Sequence, residues 1–99
     1  MIGAKCPYAI RINPKNRGAY FIRALAFGDQ KLYKEALADW TKAIELDPKD
    51  AFAYYSKGAA KAALKDYREA VQDINKAIEL DPNYTAAYNN RAVAKSALK

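Results

Sequence analysis

The sequence predicts an all-α protein built as a stack of antiparallel helix pairs. The segment AIELDP occurs at 43–48 and again at 77–82, and a diverged copy, AIRINP, occupies 9–14, so the copies are separated by 34 residues each time. Apolar residues recur three and four positions apart within each unit, which is typical of one face of an α-helix. A fixed period of this length indicates a helical repeat protein.

The repeat extends well beyond these six letters. A shift of 34 residues superimposes equivalent side chains along most of the chain, including Tyr20, Tyr54 and Tyr88; Arg23, Lys57 and Arg91; Ala24, Gly58 and Ala92; and Asp39 with Asp73. Each unit closes on Leu-Asp-Pro, where proline disfavours helical geometry in the residue before it. The apolar face also shifts near 27–31 and 64–66, so each unit is predicted to be two helices with a short turn.

Small residues are predicted where the helices of one unit approach each other. Those in the first helices are Ala24, Gly58 and Ala92, and those in the second helices are Ala36, Ala43, Ala70 and Ala77. The larger residues expected to fill the interior are Tyr20, Leu37, Trp40, Tyr54, Val71, Ile74 and Tyr88. Neither helix can bury its apolar face alone, so stability should depend on stacking between neighbours.

These features resemble the tetratricopeptide repeat family. The resemblance is carried by YFIRALAFGDQKLYKEALADWTKAIELDPKD, YYSKGAAKAALKDYREAVQDINKAIELDPNY and YNNRAVAKSALK. It implies a right-handed superhelical stack with a partial second helix and turn at 1–16, repeats at 17–50 and 51–84, and a terminal first-type capping helix at 85–99. Ala24 and Ala92 depart from the glycine usual in the family, and Pro7 interrupts the partial helix.

The same resemblance implies a function. First helices of such proteins line a concave groove that receives a peptide or helix of a partner, which makes the chain an adaptor or scaffold. Alignment places these residues in the groove: Phe21, Leu25, Phe52, Tyr55, Ala59, Ala62, Asn89, Asn90, Val93 and Ser96. This mostly apolar wall predicts an apolar or amphipathic partner segment. Some of the aromatic residues could instead pack only against neighbouring helices.

One subgroup of the family grips the terminal carboxylate of chaperone tails with Lys, Asn and Arg residues. Phe21 and Leu25 stand at its first Lys and Asn places, Ser56 at the next Asn place, and Ala86 with Asn90 at the last pair. A carboxylate clamp for chaperone tails is therefore not expected.

A basic stripe follows the first helices, through Arg23, Lys31, Lys57, Lys61, Lys65, Arg91, Lys95 and Lys99. It could contact nucleic acid, and the excess charge of +6 lies within residues 1–34. However, Asp39 and Asp73 recur with the same period, which favours structural ion pairs. Arg91 has only Asp73 as a candidate of this kind.

A further alternative is self-assembly. The chain begins with a partial second helix and finishes with a lone first helix, so copies could stack head to tail as homo-oligomers. The polar residues of the last helix argue instead for a solvated cap.

Catalysis, metal binding and cofactors are not expected. The sequence has no histidine, its four glycines form no phosphate-binding loop, and Cys6 has no catalytic partner. No apolar run is long enough to cross a membrane, no signal peptide is visible, and the single cysteine fits a reducing compartment. A cytoplasmic location is the resulting prediction.

Overall fold

The computed structural model describes residues 16–98, and these residues form five consecutive α-helices. They are α1 (Arg17–Asp29), α2 (Tyr33–Leu46), α3 (Ala51–Ala63), α4 (Tyr67–Leu80) and α5 (Thr85–Ala97). This part of the chain contains no strand, and each helix packs against the next in the sequence. The predicted all-α stack of helix pairs is confirmed. Of the predicted partial helix and turn at 1–16, all but Asn16 lies outside the described residues, as does Lys99.

The starts of α1 and α3 are capped by side chains. Asn16 accepts a hydrogen bond from the Ala19 backbone N–H, and Asp50 accepts from the N–H groups of Phe52 and Ala53. An N-cap oxygen satisfies donors that have no partner within the helix. The cap residues therefore fix where α1 and α3 begin.

Tight turns join the helices of each pair. Lys31 (φ 63°) and Lys65 (φ 69°) adopt the left-handed conformation, in which glycine is the usual residue. The N–H of Leu32 donates to the Phe27 carbonyl at 2.8 Å, and the N–H of Asp66 donates to that of Lys61 at 2.9 Å. These bonds satisfy carbonyls at the helix ends, so both turns share one Schellman-type geometry.

The core consists mainly of alanine. Ala24, Ala36, Ala43, Ala53, Ala60, Ala70, Ala77, Ala87 and Ala94 are buried, together with Trp40 and Ile74. Small side chains allow the helix axes to approach closely. The closest approach is at Gly58, where an added Cβ would lie 2.7 Å from Ile74 Cγ1 and 3.0 Å from the Ala70 carbonyl oxygen. The predicted close approach of two helices at Gly58 is confirmed.

Two interior predictions for α5 are wrong. Tyr88 is 40% exposed and Ala92 is exposed, whereas the equivalent residues of the earlier repeats pack against a second helix. Within residues 16–98, no helix covers this face of α5. The Tyr88 hydroxyl instead donates to the Pro82 carbonyl at 3.0 Å.

Candidate peptide-binding groove

An apolar cleft of about 320 Å³ lies between the two first helices α1 and α3, with α2 between them. Leu25 and Gly28 of α1 face Tyr55 and Ala59 of α3 across it. The lining set is Ala24, Leu25, Gly28, Asp29, Tyr33, Ala36, Trp40, Tyr55, Ser56, Ala59, Ala60 and Ala63. Small alanines keep the cleft open, and Asp29, Tyr33 and Ser56 are its polar groups.

A row of five aromatic rings runs beside the cleft and links the repeats. Phe21 contacts Trp40 edge to face with ring centres 5.1 Å apart, and it stacks on Phe52 at 5.3 Å. Phe52 then approaches Tyr55 at 6.1 Å, and Tyr55 approaches Tyr84 at 5.0 Å. Such pairs are favourable beyond the burial of their area. This aromatic row therefore fixes the position of α3 relative to its neighbours.

Tyr84 terminates the aromatic row in the turn before α5. Burial raises the pKa of its phenol to about 12, and the nearby Tyr55, Asp50 and Asp81 act in the same direction. An anionic phenolate is disfavoured where water is excluded and carboxylates are close. Tyr84 is therefore neutral at physiological pH.

The structure brings three of the predicted groove residues together at the cleft, namely Leu25, Tyr55 and Ala59. Phe21 and Phe52 belong to the aromatic row, and Phe52 is still 37% exposed. The remaining predicted residues do not line the cleft: Ala62, Asn89, Asn90, Val93 and Ser96. Of these, Asn89, Val93 and Ser96 are exposed on α5.

The second helix α2 contributes cleft residues that the sequence analysis did not include. Tyr33 and Trp40 line the cleft, although Trp40 had been predicted only as an interior residue. Alignment of the first helices could not identify them because they belong to α2. The sequence signal that could have identified them is the pair of alanines on α3, Ala59 and Ala60. Their side chains are too small to cover a large residue of α2, which therefore lines the cleft between α1 and α3.

The first cation of the basic stripe is neutralised by a buried carboxylate. Arg23 donates from Nε to Asp39 Oδ2 at 2.7 Å and from Nη2 to Asp39 Oδ1 at 2.6 Å. Asp39 is only 2% exposed. The hydrogen bond to Asp39 raises the pKa of the Arg23 guanidinium, although burial acts in the opposite direction. The predicted ion pair of the first repeat is confirmed.

In the second repeat, two lysines form ion pairs with one aspartate. Lys61 Nζ lies 2.9 Å from Asp73 Oδ2, and Lys57 Nζ lies 3.8 Å from Asp73 Oδ1. Lys61 also approaches Glu69 Oε1 at 3.1 Å. Burial lowers the pKa of the Lys61 ammonium, but the paired carboxylates of Asp73 and Glu69 outweigh this effect, so the pKa is raised. The predicted partner Lys57 is present but more distant than Lys61.

Arg91 does not pair with Asp73, which corrects the third prediction for the stripe. Its Nη1 donates to Asn75 Oδ1 at 2.9 Å, and its guanidinium lies 5.1 Å from the Tyr88 ring centre. Asp73 faces α3, where Lys57 and Lys61 compensate its charge. Three cations of the stripe are thus held in ion pairs, which weakens the case for a nucleic-acid surface.

Within residues 16–98, no group of three or more side chains could hold a metal ion. No helix in the same range is long and apolar enough to cross a membrane.

The sequence profile of the tetratricopeptide repeat matches residues 18–50 and 51–84. The chain belongs to the tetratricopeptide repeat family. Tetratricopeptide repeat domains of known structure share its helix arrangement. A comparison with curated proteins found no significant match.

Three solved tetratricopeptide repeat structures illustrate this similarity. The first domain of Spaghetti (RPAP3), bound to the HSP90 peptide SRMEEVD, is 32% identical with a TM-score of 0.84, over 87% of this chain and 68% of that chain. The Arabidopsis OM64 domain is 33% identical with a TM-score of 0.85, over 94% and 78%. The TPR2B domain of yeast Sti1, in a pHsp70 complex, is 33% identical with a TM-score of 0.81, over 83% and 66%.

Proposed function

We propose that this chain is a protein-interaction module that captures a short apolar or amphipathic segment of a partner in the cleft between α1 and α3. The observation that carries the proposal is the cleft itself, which has an apolar lining and only a few polar groups. Peptide-binding sites commonly combine such a surface with sparse hydrogen-bonding groups that set orientation.

Similar structures support peptide capture as the class of function. The domain of Spaghetti (RPAP3) holds an HSP90 peptide, and the yeast Sti1 domain is in complex with pHsp70. Both proteins exceed 30% identity to this chain over most of its length. The family consists of interaction modules that are generally not enzymes, so we propose binding without catalysis.

We further propose that recognition does not depend on a terminal carboxylate. The Lys, Asn and Arg places of a carboxylate clamp are held by Phe21, Leu25, Ser56, Ala86 and Asn90. Phe21 packs in the aromatic row and Leu25 lines the cleft. Neither side chain carries a positive charge that could neutralise a carboxylate. An aliphatic or aromatic side chain of the partner would instead displace water from this surface.

The test compares two substitutions on α1 that introduce the same charge. Leu25 is 42% exposed and lines the cleft, whereas Ile22 is 63% exposed and does not. Peptides would be selected from a random displayed library on the wild-type chain and measured by fluorescence anisotropy. We expect the selected peptides to be rich in apolar residues, and Leu25→Glu to weaken their binding by roughly tenfold or more. Ile22→Glu should leave binding unchanged.

Equal effects of the two substitutions, or none from either, would exclude the cleft as the binding site. The peptide SRMEEVD, with a free or an amidated carboxyl terminus, forms a second arm. We expect the two forms to bind alike. A large loss on amidation would show carboxylate recognition and overturn that part of the proposal.

A further inference from the structure

The cleft between α1 and α3 has one charged residue in its lining, the exposed Asp29. Asp29 is the last residue of α1 and lies four positions after Leu25, so the two residues share one face of that helix. Four residues of α-helix span roughly 6 Å along the axis. No lysine or arginine is among the residues that line the cleft. The cleft is therefore apolar around Leu25 and negative about one helical turn farther along α1.

The carboxylate of Asp29 has no partner among the described residues. Neither Lys31 nor Lys34, which follow it in the sequence, forms an ion pair with it. Glu35 and Asp66 also lack such partners, but they lie in the first turn of α2 and at the N-cap of α4. The positive end of a helix dipole stabilises a carboxylate there, whereas Asp29 lies at the negative end of α1. Its position therefore brings no evident gain in stability.

The repeat architecture does not require an acid at this position. The residue 34 positions after Asp29 is Ala63, which lines the same cleft, and the next equivalent is Ala97. By contrast, Asp39 and Asp73 recur in both repeats and form ion pairs between helices. Asp29 is therefore a feature of this cleft and not of the repeat.

We infer that the cleft selects partner segments in which a lysine or arginine accompanies the apolar residue that fills it. This inference rests on the proposed peptide capture. The apolar side chain would contact Leu25, Tyr55 and Ala59, and the cation would lie at Asp29. Charge complementarity favours this occupant, because an acidic segment would meet an uncompensated like charge.

The geometry also sets the spacing within the partner segment. A separation of roughly 6 Å corresponds to two residues of an extended peptide or four residues of a helix. Both α1 and α3 terminate at the cleft, at Asp29 and Ala63. The carbonyl ends of helices carry partial negative charge, so the two helix ends act in the same direction as the carboxylate.

The test uses peptides selected from a random displayed library, once on the wild-type chain and once on Asp29→Asn. We expect the wild type to enrich peptides with a basic residue two or four positions from a large apolar residue, and Asp29→Asn to lose this enrichment. One selected peptide would then be measured by fluorescence anisotropy. Asp29→Asn should weaken its binding roughly threefold to tenfold at low ionic strength, and less in high salt. The same peptide with glutamine at the basic position should bind both proteins alike.

Matched variants separate a local ion pair from a general charge effect. Glu35→Gln removes the same charge from an exposed residue that does not line the cleft, and it should leave binding unchanged. Asp29→Lys should bind the selected peptide weakly and prefer the version that carries glutamate at the basic position. Asp29 is exposed, so both of its variants should keep the helical circular dichroism of the wild type.

Leu25→Ser distinguishes failure of this inference from failure of peptide capture, because it removes the apolar contact without changing the charge. Peptides that depend on Leu25 but lack a basic residue, or that bind wild type and Asp29→Asn alike, would overturn the inference and leave capture in place. Equal losses in Asp29→Asn and Glu35→Gln would do the same. If no library peptide binds, or if Leu25→Ser has no effect, peptide capture in the cleft is refuted and the charge preference falls with it.

Discussion

Among the described glycines, Gly58 is the one at which an added methyl group would meet the closest contacts. Replacing glycine by alanine within a helix ordinarily stabilises it by about 1 kcal/mol. At Gly58 the added Cβ would meet Ile74 Cγ1 at 2.7 Å and the Ala70 carbonyl oxygen at 3.0 Å, and the carbonyl belongs to the backbone of α4. The helices would have to move apart.

We therefore predict that Gly58→Ala lowers the free energy of unfolding by about 1 to 2 kcal/mol, because overpacking outweighs the gain in helix propensity. Gly28→Ala is the matched control, since nothing lies within 4 Å of an added Cβ there. It should raise the same quantity by up to about 1 kcal/mol. Urea denaturation measures both, and a stabilised Gly58→Ala variant would contradict the packing argument.

At the residue scale, the sequence predicted where helices approach closely and which aspartates form ion pairs. It predicted the cations that pair with those aspartates less well. Period and charge alternation located Gly58, Asp39 and Asp73. They could not distinguish Lys57 from Lys61, which lie one helical turn apart on the same face and both reach Asp73. Asp73 was the only candidate acid for Arg91, but Arg91 donates to Asn75 of the preceding helix, which spacing alone does not show to be within reach.

At the scale of the helix pair, the turn residues Lys31 and Lys65 hold a left-handed conformation that side chains with a Cβ disfavour. The conformation costs a non-glycine residue roughly 1 kcal/mol or more. Both lysines persist there because the surrounding hydrogen bonds, such as that from Asp66 to Lys61, fix the turn.

Lys65→Gly is therefore predicted to raise the free energy of unfolding by about 1 kcal/mol, since glycine adopts the left-handed conformation without strain. Gln72→Gly, at an exposed position within α4, should lower it by about 1 kcal/mol. Thermal and urea denaturation of the two variants would be compared with the wild type. A loss of stability in Lys65→Gly as large as that of Gln72→Gly would show that the turn is not strained.

The helices were predictable because both signals are local in the sequence: apolar residues three and four positions apart mark a helix, and Leu-Asp-Pro marks its end. The turn conformation was not, because lysine carries no signal for a positive φ. The cleft was predicted in part: Leu25, Tyr55 and Ala59 follow from the first-helix register, whereas Tyr33 enters only through the packing of α2 between α1 and α3.

At the scale of the whole molecule, Tyr84 and Lys61 make the free energy of unfolding depend on pH in the alkaline range. The pKa of Tyr84 rises from 10.0 to about 12 on folding, and that of Lys61 is raised above 10.5. In both cases the folded chain retains a proton that the unfolded chain has lost. Their contribution to stability is therefore complete below pH 10. The contribution of Tyr84 is lost as the pH rises towards 12, and that of Lys61 is lost as the pH rises through the raised pKa of its ammonium.

We predict that the free energy of unfolding falls between pH 10 and about 12, and that Tyr84→Phe removes part of this fall because phenylalanine has no proton to lose. Urea denaturation at a series of pH values would give the difference between wild type and variant. As the pH rises from 10 to about 12, the free energy of unfolding of the wild type should fall relative to that of Tyr84→Phe. Parallel curves for the two proteins would show that the folded environment does not perturb this phenol.

The aromatic row also contains an intrinsic fluorescence probe. Trp40 is the single tryptophan of the chain, and it lies at the junction of α1, α2 and α3, in contact with Phe21 and Phe52 and at the lining of the cleft. Its indole emission responds to the polarity around the ring. One unlabelled chromophore therefore reports separation of the two repeats and occupation of the cleft, without any added dye.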